Sequence, residues 1–340
     1  MGISSHSLLL TALVFLISFF GTYFYRSFAI QKGILANPNF RTLHENPKPR
    51  GGGIVFSWVF IIAVISLGLS GTIGSDLIMA LGVGGGLASF FGFIDDVTNV
   101  RATIKMIIQG CLSAWILICF NGGPLVTTPW LPIWFSWLVS WFLLIWLINL
   151  YNFMDGVDGM AASGAIYICV VLVLISYFSG GSSFNLSLLC LLLAVSCLGF
   201  LLFNWPPATI FMGDSGSVFL GYCFGVLIIK TTMANDINFW TWLVIFGYFL
   251  GDTTTTIILR IMIVKRWFGA HRSHAYQNLA RILGSHIKVT GGVLVYHIVW
   301  LMPLAIWSSL EPELAPIAAA FAFLPSIYWA LRFGPLLSSA

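Results

Sequence analysis

Eleven apolar runs, each long enough to cross a bilayer, divide this sequence, and the short segments between them hold nearly all of its charge. The runs cover approximately 8–25, 53–71, 76–94, 104–120, 131–151, 159–178, 186–203, 216–231, 238–263, 289–309 and 314–332. A spanning helix needs roughly 20 mostly apolar residues, within a range of about 17–25. Only 8% of the 340 residues are charged and 59% are hydrophobic, whereas a soluble domain carries about 25% charged residues. That inventory cannot build a water-facing surface, so lipid is the solvent. In lipid the backbone must satisfy its own polar groups, and helices do this within one segment. The expected fold is therefore all-α: one polytopic membrane domain over 1–340, with about eleven transmembrane helices, or ten if a short run does not span.

The charges orient the bundle. With the N-terminus outside, the cytoplasmic segments are about 26–52, 95–103, 152–158, 204–215 and 264–288, followed by the C-terminal tail. Of the 15 Lys and Arg residues, 14 lie in these segments or at the helix ends facing them, and Lys230 alone sits opposite. The outward loops carry Asp76, Asp236, Glu311 and Glu313. This is the positive-inside distribution. The N-terminus lacks the basic region and cleavage site of a signal peptide, so the first run reads as a retained helix. Six cysteines lie in or beside apolar runs without a C-x-x-C pair, and they read as small hydrophobes.

Five aspartates remain on the inner side: Asp95, Asp96, Asp155, Asp158 and Asp214. They occur in Phe91-Gly-Phe-Ile-Asp-Asp96, in Asn149-Leu-Tyr-Asn-Phe-Met-Asp-Gly-Val-Asp-Gly159 and in Phe211-Met-Gly-Asp-Ser-Gly-Ser217. Taken singly, each set could cap or end a helix. Three sets on one membrane face point further, because carboxylates there are costly unless paired, hydrated or metal-bound. Hard oxygen donors suit Mg²⁺, which commonly takes one or two carboxylates plus substrate phosphates. The neighbouring glycines allow close backbone approach to a phosphate. Asp95 and Asp96, being adjacent, point in different directions and should have different jobs. Counter-charges stand nearby: Arg50 in Pro49-Arg-Gly-Gly52, Lys105 and Gln109 at helical spacing after the Asp pair, and His271-Arg-Ser-His-Ala-Tyr-Gln277 in the largest inner loop. Carboxylates for a metal, with Lys, Arg and His for anions, describe a phosphoryl-transfer site. Most other basic residues, including Lys265, Arg266, Arg281 and Lys288, read as topology or headgroup contacts. A zinc site at His271 and His274 is poorly supported by the spacing. Asp252, inside the ninth run beside four threonines, reads equally as a functional carboxylate and as part of a structural network.

The order of these motifs, over about residues 40–280, resembles the polyprenyl-phosphate N-acetylhexosamine-1-phosphate transferases of glycosyltransferase family 4. That superfamily includes the phospho-N-acetylmuramoyl-pentapeptide transferase and the N-acetylglucosamine-1-phosphate transferases of O-antigen and teichoic acid synthesis. The resemblance implies transfer of a sugar-1-phosphate from a UDP-N-acetylhexosamine to undecaprenyl phosphate, with release of UMP. It implies a Mg²⁺ cofactor, with Mn²⁺ as an alternative, and a multi-pass protein of the bacterial inner (cytoplasmic) membrane. By matched motif, Asp214 would be the principal metal ligand, and Asp95 and Asp96 the catalytic pair. Asn152, Asp155 and Asp158 would bind the nucleotide, Arg50 and Lys105 would hold phosphate, and His271, Arg272 and His274 would clamp the sugar nucleotide. The His-Arg-Ser-His sequence departs from the all-His run of the muramoyl-pentapeptide enzyme and looks more like the O-antigen-initiating branch. Membrane lipids and a homodimer are the other partners considered, and no nucleic acid is expected. A transporter or flippase for lipid-linked sugars is the alternative from another class. It predicts internal repeats or midplane charges, and the sequence offers only Asp252.

Overall fold

The computed structural model describes residues 5–36, 47–121, 125, 132–181, 185–263 and 273–335. Thirteen helices account for most of it: α1 Ser5–Gln31, α2 Gly53–Leu69, α3 Ser75–Thr98, α4 Ala102–Cys119, α5 Ile133–Phe153, α6 Met160–Phe178, α7 Leu186–Asn204, α8 Asp214–Met233, α9 Phe239–Ile245, α10 Gly247–Ile263, α11 Ala275–Leu283, α12 His286–Leu310 and α13 Ala315–Phe333. Two short strands, β1 Leu35–Ala36 and β2 Lys48–Pro49, pair antiparallel. The chain is an all-α polytopic membrane protein. Among the described residues, nine helices are long and apolar enough to cross a membrane. The pair α9–α10 supplies a tenth, and the 17-residue α2 matches the remaining apolar run.

The ninth run, expected as one span over 238–263, is broken. Its two halves meet at 81° around Phe246. Unbroken apolarity hides the bend. Gly247 packs against α12 and α13 at the break, where even a methyl group would lie 3.0 Å from the Leu301 Cδ2 and 3.3 Å from the Ala322 Cβ. At the start of α9, the Asn238 side chain accepts the Thr241 N–H at 2.9 Å.

The central column is α8. In its most apolar stretch 83% of residues are buried, against 17% in α1, so α8 is wrapped by protein while α1 faces lipid. It packs on α2, α3, α4 and α5. The contact with α3 is unusually close at Gly92, where a Cβ would stand 2.3 Å from the Asp214 carbonyl oxygen. Small residues permit such approach in membranes, where packing rather than a hydrophobic drive joins helices. Here the approach brings Asp95 and Asp96, one turn beyond Gly92, up to the first turn of α8.

At about 1.5 Å rise per residue, Lys230 stands roughly 24 Å along α8 from Asp214. It pairs there with Asp76 at 2.6 Å and lies 5.6 Å from the Phe120 ring centroid. The cation that stands apart in the charge sorting therefore has an acidic partner at the far end of the bundle. The pair is part-exposed, so Asp76→Asn or Lys230→Met should each cost about 1 kcal/mol or less. The double variant should cost no more than the larger single loss, read by thermal unfolding in detergent; additive losses would show that the pair is not coupled.

Candidate active site

Three motif segments close around the start of α8. The Phe211 N–H donates to Pro49 O at 2.8 Å, and the N–H groups of Gly52 and Gly53 donate to the carbonyls of Phe211 and Met212 at 3.0 and 2.9 Å. These bonds zip the Pro-Arg-Gly-Gly segment onto the Phe-Met-Gly-Asp segment. Gly213 then turns the chain into α8 with φ +75°. A side chain there would be strained by the backbone and would also meet the Asp96 carboxylate, 2.4 Å from an added Cβ.

Asp96 is buried, and both its oxygens are engaged. Oδ1 accepts the Asp214 N–H at 3.0 Å and Oδ2 accepts the Ser215 N–H at 3.1 Å. These N–H groups open α8 and have no partner within the helix, so Asp96 caps it from a neighbouring helix. Arg50 Nη2 stands 3.4 Å from Asp96 Oδ1 and donates to the Asp95 carbonyl at 3.1 Å. The Asp95 carboxylate faces elsewhere. Oδ1 accepts the Val100 N–H at 2.7 Å, and Oδ2 is paired with the Lys105 ammonium. Asn99, in the left-handed conformation, makes the turn that returns the backbone to Asp95.

Lys105 bridges two carboxylates, since its Nζ also lies 3.1 Å from Asp214 Oδ2. Asn152 Nδ2 donates to Asp214 Oδ1 at 3.0 Å and to Ser217 Oγ at 2.8 Å. Asp214 nevertheless keeps 25% of its side chain exposed, compared with 2% for Asp96, 9% for Asp95 and 7% for Asp158. It is the most open of these four and faces a cavity of 390 Å³ that Arg50, Asp95, Asp96, Lys105, Asp155 and Asp158 also line.

The second aspartate pair flanks this cavity with opposite electrostatics. Burial, then the charges of Asp214, Asp96 and Asp158, push the Asp155 carboxyl well above the ordinary range, against a Gly213 N–H that favours its ionised form. At Asp158 burial works the same way, but His286, the Ala208 N–H and Lys48 prevail and hold the carboxyl below its usual value. Ala208 donates to Asp158 Oδ2 at 2.9 Å, while His286 Nδ1 lies 3.2 Å from Oδ1.

Seven residues singled out in the sequence thus line or border one cavity wall: Arg50, Asp95, Asp96, Lys105, Asp155, Asp158 and Asp214, with Asn152 directly behind Asp214. His274 does not join them. It is 2% exposed, sits between the rings of Phe153 and Tyr276, and is held down to about 3 by burial, with the Arg260 charge adding to it. A neutral, enclosed imidazole is no phosphate clamp. The cause is Asp252, whose carboxylate accepts the N–H groups of Ala275 and Tyr276 at 3.0 and 3.4 Å and draws the start of α11 inward. Asp252 is therefore structural. His271 and Arg272 lie outside the described residues.

The structure adds Lys48, Asn204, Gln277 and His286 to the site. Gln277 and His286 line the cavity with Asn204, and Lys48 stands 3.9 Å from Asp158 Oδ2. Gln277 ends the His-Arg-Ser-His-Ala-Tyr-Gln motif, and Lys48 immediately precedes the Pro-Arg-Gly-Gly motif. His286 carried only the signal of a lone histidine at the start of an apolar run.

Among the described residues, no three His, Cys, Asp or Glu side chains are gathered as a ready metal cage. The arrangement instead interleaves hard carboxylate oxygens with the Arg50 and Lys105 cations along a space that a diphosphate could enter.

Known proteins resemble this chain over much of its length. The pattern of glycosyl transferase family 4 matches residues 78–232. A probable undecaprenyl-phosphate N-acetylglucosaminyl 1-phosphate transferase from Bacillus subtilis is 31% identical over 83% of this chain and 81% of its own length. A decaprenyl-phosphate N-acetylglucosaminephosphotransferase from Mycolicibacterium smegmatis is 32% identical, over 66% of this chain and 59% of that protein. A phospho-N-acetylmuramoyl-pentapeptide-transferase from Vesicomyosocius okutanii is 28% identical over 62% and 65%. The chain belongs to the polyprenyl-phosphate N-acetylhexosamine-1-phosphate transferase family, and is a membrane-embedded phosphosugar transferase.

Proposed function

We propose that the protein transfers an N-acetylhexosamine-1-phosphate from a UDP-sugar to undecaprenyl phosphate at the cytoplasmic face of a bacterial inner membrane, releasing UMP and starting an O-antigen or related surface polysaccharide. The observation that carries this reading is the Lys105 ammonium held between Asp95 and Asp214, beside Arg50, at the wall of an acid-lined cavity. A lipid phosphate and a nucleotide diphosphate repel one another, and the cations on that wall reduce the repulsion.

Mg²⁺, or Mn²⁺ in its place, fits the residues present. The donors are hard carboxylate oxygens. Asp214 is open to the cavity, and the Asp155 carboxyl, raised first by burial, is raised further by the charges of Asp214, Asp96 and Asp158, which a divalent cation would offset. Asp214, with Asp155 and substrate phosphate oxygens, would hold the ion. When bound, it would neutralise the diphosphate and stabilise the leaving UMP.

The chain's own residues favour direct attack. A phosphate monoester has its second pKa near ~6 and is mostly a dianion at neutral pH. It needs no aspartate to activate it. The lipid phosphate oxygen forms a bond to the phosphorus bearing the sugar, and the bond from that phosphorus to the bridging oxygen breaks, leaving with UMP. The oxygens of Asp95 and Asp96 are already engaged by backbone N–H groups and Lys105, which speaks against either as a covalent nucleophile. Asp96 instead orients the first turn of α8 and so aims Asp214.

The test uses detergent-purified protein, undecaprenyl phosphate and a panel of UDP-sugars: N-acetylglucosamine, its deoxy relatives such as N-acetylfucosamine and N-acetylquinovosamine, and muramoyl-pentapeptide. One N-acetylhexosamine donor should release UMP. EDTA should remove the activity, and added Mg²⁺ or Mn²⁺ should restore it. No UMP from any donor in the presence of Mg²⁺ would overturn the proposal, and turnover in EDTA would overturn the metal.

A further inference from the structure

We infer that His286 is a positioning residue for the donor, acting through Asp158. The inference rests on the proposed transfer from a UDP-sugar and on the nucleotide-binding role that the family resemblance implies for Asp158.

The geometry joins two distant parts of the chain. His286 is the first residue of α12, whose start is capped by the Ser285 hydroxyl accepting the Lys288 N–H. Its Nδ1 lies 3.2 Å from Asp158 Oδ1, to which it donates when it carries the ring proton, and 3.3 Å from the Asp158 backbone nitrogen, whose N–H it accepts when it does not. One turn further along, the buried Thr290 donates its hydroxyl to the Asp158 carbonyl at 2.8 Å. Residues four apart share one helix face, so α12 presents His286 and Thr290 together to the end of the Asp155–Asp158 segment. Thr290 anchors the backbone, which leaves His286 to set the side chain.

The carboxylate is then fixed from both sides. Oδ2 is held by the Ala208 N–H, and Lys48 stands 3.9 Å from it. Among the described side chains, His286 alone meets Oδ1. Losing it frees one oxygen of a carboxylate that is otherwise buried, and the group can rotate away from the ligand or draw Lys48 after it. His286 also lines the cavity, so the contact lies at the ligand's edge rather than in the packed interior.

The effect should therefore fall on donor binding. In His286→Ala the donor KM should rise about tenfold, the size expected for a lost hydrogen bond to a charged group. The acceptor KM and kcat should change by less than about twofold, since Lys105, Asp214 and Arg50 are untouched. Asparagine carries a hydrogen-bonding atom on Cγ, as histidine carries Nδ1, so His286→Asn should recover most of the donor KM. Steady-state UMP release, varying donor and acceptor separately, reads all three quantities, and thermal unfolding checks each variant's fold. An unchanged donor KM in His286→Ala would overturn the inference. So would equal losses in kcat and both KM values with no recovery in His286→Asn, which would mark a purely structural contact. Failure of the unmutated protein to release UMP would instead count against the proposed function.

Discussion

Asp214→Asn should lower kcat by about 10³-fold or more, at the upper end of losses from removing one electrostatic group at a reacting centre. The substitution keeps the shape of the side chain and the oxygen that accepts from Asn152, so the fold should survive. What it removes is charge at the point where the site is organised. Lys105 then answers to Asp95 alone, and the cavity loses a carboxylate more open to it than those of Asp95, Asp96 and Asp158. The KM values should move far less than kcat if Asp214 acts mainly on the transition state. Asp76→Asn, which removes a carboxylate at the opposite end of the bundle, is the matched control and should leave kcat unchanged. Single-turnover UMP release on both proteins, with unfolding temperatures in parallel, makes the comparison. More than a tenth of the parent rate in Asp214→Asn would remove Asp214 from the centre of the mechanism.

Much of this site is legible in the sequence because membrane residence leaves so few places for charge. Five aspartates beside glycines on one face had to meet something, and the structure brings them to one cavity. The adjacency of Asp95 and Asp96 is legible too. Successive helical residues diverge by about 100°, and the two carboxylates do go to different partners, Lys105 and the start of α8. Other features depend on contacts that no local pattern records. The burial of His274 follows from Asp252, 22 residues upstream in α10, which caps the start of α11. The bend at Phe246 coincides with close packing of α12 and α13 on Gly247, and no proline or polar run marks it in the sequence. His286 looks like an isolated headgroup residue until α12 folds back onto Asp158. In each case the side chain's role follows from which helix packs against it.

The same packing argument makes an alanine scan of two glycines informative. Gly86 and Gly92 lie on α3, six residues apart, and helix propensity alone favours alanine at both by up to about 1 kcal/mol. Their surroundings differ. A Cβ at Gly86 meets nothing within 4 Å, whereas one at Gly92 stands 2.3 Å from the Asp214 carbonyl oxygen and 2.7 Å from the Ser215 Cα. Those atoms are backbone in the first turn of α8, so no rotamer change relieves the clash, and the two helices must separate. Asp96 would then lose the N–H groups of Asp214 and Ser215, and Lys105 could no longer span Asp95 and Asp214. A misplacement of about 1 Å can cost roughly 10²-fold in rate. Gly92→Ala should therefore lose about 10²-fold in kcat, along with stability, despite being the better helix former. Gly86→Ala should keep full activity and unfold no earlier than the parent. Rates and unfolding temperatures for the two variants decide the matter. A Gly92→Ala enzyme that turns over like the parent would mean that the close contact of α3 with α8 does not set the spacing of the carboxylates.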